Sequence, residues 1–261
     1  MKARFGVRRG TALVAALLVA VIALILPGSA AARTDDNQAH SDHWGVIARN
    51  TIGSPVAELR NGPYGPFGVT GAAARPPYGR GSLGIEVADR STTLTPPSEK
   101  VDFGNEVDFF GKQLLGLRRV GFHVFQTREN VFDYGGGPTN MPNIRFEIDP
   151  NVTSMPTDDY STLVWVPTAS PVTSGWSPFL DATRTGYWYL TGGETTCNQA
   201  AQCTFAQLKA SFTNVNARPT VYTVAVGKGR DFMWIGAVDG LRLNDYVYDF
   251  ERDGVKVLHS K

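Results

Sequence analysis

The chain is poor in cysteine and histidine, has no long basic run and shows no extended helical periodicity. Two cysteines in 261 residues exclude a disulfide-dense scaffold. With no histidine near them they also make a poor zinc site, which takes four N or S ligands. The lack of a basic cluster removes the electrostatic footprint of a nucleic-acid-binding protein. Without sustained 3.6-residue patterning, a helical bundle is excluded. Only one long uncharged apolar run exists, the 16 residues Thr11–Leu26, shorter than the roughly 20 that a membrane-spanning helix needs.

That run lies in a three-part leader. Lys2, Arg4, Arg8 and Arg9 precede it, Pro27 and Gly28 break it, and Ser29-Ala30-Ala31-Ala32 supplies the small residues of a cleavage site. The layout predicts a signal peptide over 1–32, export of the protein, and no stable membrane span after cleavage. Arg8-Arg9 is only a weak twin-arginine signal, since no bulky apolar residue follows closely. Cleavage removes four basic and no acidic residues, taking the formal charge from +1 to −3. In an oxidising compartment Cys197 and Cys203 are expected to form a disulfide closing a small loop.

What the sequence has in quantity is short β-rich phrases punctuated by Gly, Pro, Asn and Asp. Residues 33–54 read as a flexible N-terminal segment with a candidate first strand from Trp44. From 61 to 82 Gly and Pro dominate, which marks a long loop. Then follow SLGIEVA, KVDFGNEVDFF, RRVGFHVFQT, NIRFEID, STLVWV, TGYWYL, PTVYTVAVG and DFMWIGAV, rich in Val, Phe, Tyr, Trp and Thr. Near the end comes a hairpin. Leu241 and Leu243 face one side and Arg242 the other, Asn244-Asp245 turns, and Tyr246, Tyr248 and Phe250 return. A one-residue slip would expose both leucines. One short helix is expected in FAQLKASF, where Thr204 and Gln207 have capping-box spacing. These signals predict an all-β fold, a two-sheet antiparallel β-sandwich (jelly roll) with one short helix, as a single domain over 55–261.

GAVDGLRLNDYVYDFE, GRGSLGIEVAD and the CTFAQLKASF–PTVYTVAVGKGRD connection resemble secreted bacterial β-sandwich domains of the carbohydrate-binding-module, concanavalin-like type. The resemblance covers roughly 55–251 and carries no catalytic signature. It implies a non-catalytic protein that binds a carbohydrate or cell-envelope polymer, with no organic cofactor. Such modules often hold a structural calcium near the chain ends, which makes Asp239, Asp249 and Glu251 its candidate ligands.

Among aromatic residues, Trp176, Tyr187 and Tyr189 are candidates for a platform against a sugar ring, combining apolar area with a polar tip. Trp165 and Trp234 lie in strongly apolar phrases and are expected in the core. An alternative function is a glycoside hydrolase or polysaccharide lyase. Glu147 and Asp149 share one face of a strand, and a retaining glycosidase needs two carboxyls about 5 Å apart. The phrase is similar to the E-I-D-x-x-E motif of concanavalin-like β-glucanases. The third acid of that motif is replaced by Pro150, Asn151 and Val152. A second alternative is a structural surface protein with a protein partner. His40 and His43 read as parts of a polar tail, His123 as a structural strand residue, and Gly135–Gly137 as a loop without the lysine of a phosphate-binding turn.

Overall fold

The computed structural model describes residues 41–88, 99–155, 157, 159–169 and 172–260. The leader and His40 lie outside the described residues. The elements in chain order are β1 (Trp44–Val46), β2 (Val56–Asn61), β3 (Gly81–Val87), β4 (Val101–Asn105), β5 (Val120–Gln126), α1 (Arg128–Phe132), β6 (Asn143–Asp149), β7 (Ser161–Val166), β8 (Gly175–Trp176), β9 (Leu180–Asp181), β10 (Tyr187–Leu190), α2 (Phe205–Asn214), β11 (Thr220–Lys228), β12 (Trp234–Leu243), β13 (Tyr246–Glu251) and β14 (Gly254–His259).

These strands make two antiparallel sheets. The first runs β1-β4-β11-β6-β7-β10. The second runs β14-β13-β12-β3-β2, with β5 also on β12, and β8 and β9 on β5. The fold is therefore the two-sheet β-sandwich read from the sequence. Among the described residues two α-helices are present rather than one, the additional α1 being only five residues long.

Alternation drives the packing. In β6, Ile144, Phe146 and Ile148 are buried in the core, so Asn143, Arg145, Glu147 and Asp149 fall on the opposite, outer face. Aromatic contacts tie the two sheets together, with Phe122 against Trp165 at 5.5 Å and Phe103 against Phe250 at 5.9 Å between ring centroids. Trp165 and Trp234 are both fully buried, as their apolar surroundings predict.

The terminal hairpin sits at the centre of the second sheet, not at its edge. In β12, Trp234–Val238 pairs with β3 and Leu241–Leu243 with β13, while β5 pairs with residues from Ala237 to Leu243. The register shifts between Asp239 and Arg242, where Gly240 has a φ of +62°. This bulge inserts one residue, so Val238 and Leu241 both reach the core although they are three apart. Asn244 takes the left-handed conformation of the turn. Its side-chain oxygen accepts the Arg118 amide at 2.6 Å, which fastens the turn to the segment before β5. The edge is β14, paired with β13 along its whole length.

The disulfide Cys197–Cys203 is formed. Backbone bonds from Trp188 to Cys203 (2.7 Å) and from Leu190 to Cys197 (2.8 Å) lay the loop along β10. Helix α2 then starts at a complete Thr204–Gln207 capping box and buries Leu208 and Phe212. The Gly- and Pro-rich stretch crosses the outer face of the second sheet. Tyr64 donates to Glu86 at 2.5 Å, and Tyr78 packs on the His123 ring at 5.9 Å.

Candidate functional site

The outer face of the first sheet carries the polar candidates. Glu147 is 3% exposed. Its Oε1 accepts Asn50 Nδ2 at 2.9 Å and the Tyr160 hydroxyl at 2.8 Å. Arg49 binds its other oxygen and also reaches Glu106. Burial pushes the Glu147 pKa up, but hydrogen bonds from Asn50, Thr223, Tyr160 and Arg49 outweigh it, and the net shift is down. This carboxylate is a fastener. It pins the Ala48–Asn50 turn and the Tyr160 segment to the sheet. Asp149, two residues on and half-buried, accepts the Asn151 amide at 2.7 Å.

Beside Glu147 the face opens into a groove of about 430 Å³. Arg145 crosses its floor to Asp102, and Lys100 Nζ lies 3.6 Å from the same carboxylate. The reach is short because Ala225, Gly104 and Gly227 lie between them in the register. A Cβ at Gly227 would stand 1.9 Å from Asp102 Oδ1. Val164 and Tyr189, directly across from Arg145 in successive strands, form the opposite wall. Asn143, Thr162, Thr191 and Gln199 add hydrogen-bonding groups. Burial raises the Tyr189 pKa, so its hydroxyl stays protonated and can donate.

The structure divides the three aromatic candidates. Tyr187 and Tyr189 share the outer face of β10, with Tyr187 50% exposed and Tyr189 lining the groove. Trp176 belongs to the other sheet, where it pairs opposite Phe125. Its ring packs 5.6 Å from that phenylalanine, and its indole nitrogen donates to the Ala74 carbonyl at 3.4 Å. Trp176 therefore cannot act with the tyrosines on one ligand.

Asp239, Asp249 and Glu251 do come together, but Asp239 and Glu251 already serve backbone amides. Asp239 accepts the amides of Gly240 (2.7 Å), Phe250 (3.2 Å) and Tyr78 (3.1 Å). Glu251 accepts the Arg80 amide at 2.6 Å. Burial raises the Asp239 carboxyl to about 7 and the Asp249 carboxyl to about 6. Three carboxyls, one of them already accepting three backbone amides, fall short of the six to eight oxygens that a calcium site takes. Among the described residues no group of three His, Cys, Asp or Glu is placed to hold a metal ion. The cluster instead fastens the Tyr78–Arg80 segment to the second sheet.

His43 and His123 make structural contacts. His43 lies 2.9 Å from Asp108, and His123 Nδ1 donates to the Ser177 carbonyl at 2.9 Å. Burial lowers the His123 pKa, so its ring is neutral and the carbonyl receives Nδ1–H. Among the described residues, no helix is long and apolar enough to cross a membrane.

Within its own strand Arg145 is only a same-face neighbour of Glu147. Its salt bridge to Asp102, and the gathering of Lys100, Thr191 and Gln199 around it, depend on strand order. The chain is thus a two-sheet antiparallel β-sandwich with a polar groove on one outer face. Compared with family models and with curated proteins, it matches none.

Proposed function

We propose that this is an exported, non-catalytic β-sandwich protein of the carbohydrate-binding type that holds a carbohydrate or another cell-envelope component on the outer face of its first sheet. The observation that carries the reading is the groove of about 430 Å³, walled by Tyr189, continued by the exposed Tyr187 and lined by amide, hydroxyl and guanidinium groups. A sugar ring presents an apolar C–H face and a fringe of hydroxyls, and this combination suits both. The leader supports export, and the disulfide is of the kind that persists in an oxidising compartment.

The enzymatic alternative finds less support in the same geometry. A general acid needs a carboxyl whose pKa is raised towards the working pH. Glu147 is shifted the other way, with both oxygens occupied.

The test is co-sedimentation of residues 33–261 with insoluble polysaccharides and cell-wall material, with soluble sugar release measured in the same tubes. Binding without release is expected. Tyr189→Ala should weaken it at least tenfold, and Trp176→Ala should leave it unchanged. Release of sugar that Glu147→Gln abolishes would replace this reading with the hydrolase or lyase. Binding unaffected by Tyr189→Ala would move the ligand off the groove.

A further inference from the structure

A second cavity, of about 240 Å³, opens between the two sheets and is separate from the groove. Phe146 and Val224 of the first sheet face Leu243 and Tyr248 of the second across it, and half-buried Leu117 lies among its lining residues. A bulge explains the space. The β11–β6 register shifts between Val221 and Thr223, and the extra residue, Tyr222, turns outwards to stack on Phe110 at 5.6 Å. Thr223 faces the outer side with Glu147, so the wall between Val221 and Val224 presents no side chain to the interior.

Tyr248 supplies the polar feature. It is 1% exposed, its ring packed against Trp44 at 5.3 Å and Phe109 at 5.7 Å between centroids. Its hydroxyl has no hydrogen-bond partner among the described residues and is not sealed from water, so it is open to an occupant of the cavity. Burial drives its pKa up, so the group is a donor at any physiological pH. An apolar cavity of 150 Å³ is known to admit a benzene ring, so this one has room for about ten non-hydrogen atoms. The buried part of the lining, Phe109, Phe146, Val221, Val224, Leu243 and Tyr248, is aliphatic and aromatic with one hydroxyl donor, whereas Lys112, Gln113, Asn244 and Asp245 line the cavity from half-buried or exposed positions. Such inner walls penalise a charged occupant, and a single buried donor asks for one acceptor.

We propose that this cavity binds a neutral, mainly apolar small molecule carrying a single hydrogen-bond acceptor, which the Tyr248 hydroxyl engages. The site is independent of the carbohydrate reading and stands or falls apart from it.

Acetophenone and its near-isosteric hydrocarbon, isopropylbenzene, distinguish the two halves of the proposal, cavity and donor. Each is titrated into the purified protein and followed by tryptophan fluorescence and one-dimensional NMR. Acetophenone should bind about five- to tenfold more tightly, the ratio expected for one net hydrogen bond. Tyr248→Phe should reverse the preference, because the ketone oxygen is then buried without a donor, and should not weaken isopropylbenzene. Leu117→Trp should abolish binding of both while the far-UV circular dichroism stays native. The proposal is overturned if neither probe binds up to its solubility limit, if the preference survives Tyr248→Phe, or if Leu117→Trp leaves binding intact.

Discussion

The paired carboxyls Asp239 and Asp249 make the stability of this protein fall as pH rises. Asp239 is fully buried. Burial lifts its pKa from 3.8 to about 7, the amides of Phe250, Tyr78 and Gly240 oppose the rise, and Asp249 adds to it. Asp249 is lifted to about 6, first by burial and then by Glu251. Both groups bind protons more tightly folded than unfolded. Their contribution is therefore complete below the unfolded value near 4 and is lost as pH climbs through 6 and 7. Taken alone, the rise at Asp239 corresponds to at most about 4 kcal/mol, of which the part titrating between pH 5 and 8 is about 3 kcal/mol.

Asp239→Asn removes the titration of this group with little change of shape, at the cost of the Tyr78 amide bond to Oδ2, a loss that does not vary with pH. The amide oxygen can accept Gly240 and Phe250, and the amide nitrogen can donate towards Asp249, whose Oδ1 lacks a partner. Urea unfolding at pH 5, 6, 7 and 8 gives the measurement. The wild type should lose about 4 kcal/mol over that interval from the two groups together, and the variant, which keeps the Asp249 titration, about 1.5 kcal/mol or less. Comparing the two proteins at each pH cancels the contributions of His43, raised by its bond to Asp108, and of His123, lowered by burial. An unchanged slope in Asp239→Asn, or a wild type more stable at pH 8 than at pH 5, would refute the assignment.

Two further changes probe the fasteners. Glu147→Gln should cost about 1–2 kcal/mol in urea unfolding, because Asn50, Tyr160 and Arg49 lose a charged acceptor while half-exposed Arg49 regains water. A variant as stable as wild type would show that these bonds hold nothing. Replacing both Cys197 and Cys203 by serine should cost about 2 kcal/mol, the loop entropy of a bridge spanning six residues. Protease cutting within 191–203 should rise with it, since that loop is tied to β10 by only a few backbone bonds, and unchanged cutting would count against the role given to the bridge.

How much of this was legible depended on whether the signal was local. NIRFEID and STLVWV match β6 and β7 to the residue, because clean alternation states both the strand and its faces. The Thr204 capping box starts α2 where its spacing places it. β14 escaped notice although Asp253-Gly254 is itself a turn signal. β8 and β9, two residues each, and the five-residue α1 are too short to show a period. The outer-face set Asn143, Arg145, Glu147 and Asp149 follows from parity within one strand. The pairing of Arg145 with Asp102, 43 residues away, does not, because it needs the order β4-β11-β6. For the same reason nothing local reveals that Trp176 and Tyr187 belong to different sheets.

The Gly- and Pro-rich stretch explains why the outer face of the first sheet is open along the groove while that of the second is covered. Both sheets carry polar residues outwards, yet the segment from Tyr64 to Arg80 crosses only the second. Small residues on that face let it approach. A Cβ on Gly84 would meet the Tyr64 side chain at 2.8 Å, and one on Gly240 would meet the Tyr78 ring at 2.4 Å. The carboxylates Asp239, Glu86 and Glu251 then take up donors from the segment. The first sheet has small residues in the equivalent rows, Gly104, Ala225 and Gly227, but there the space is spanned by the Arg145–Asp102 salt bridge and otherwise left as the groove. Glycine under a loop makes a closed face, whereas glycine beneath an ion pair makes an open floor with charge on it. The same device thus yields support on one side of the sandwich and an open, charged groove on the other.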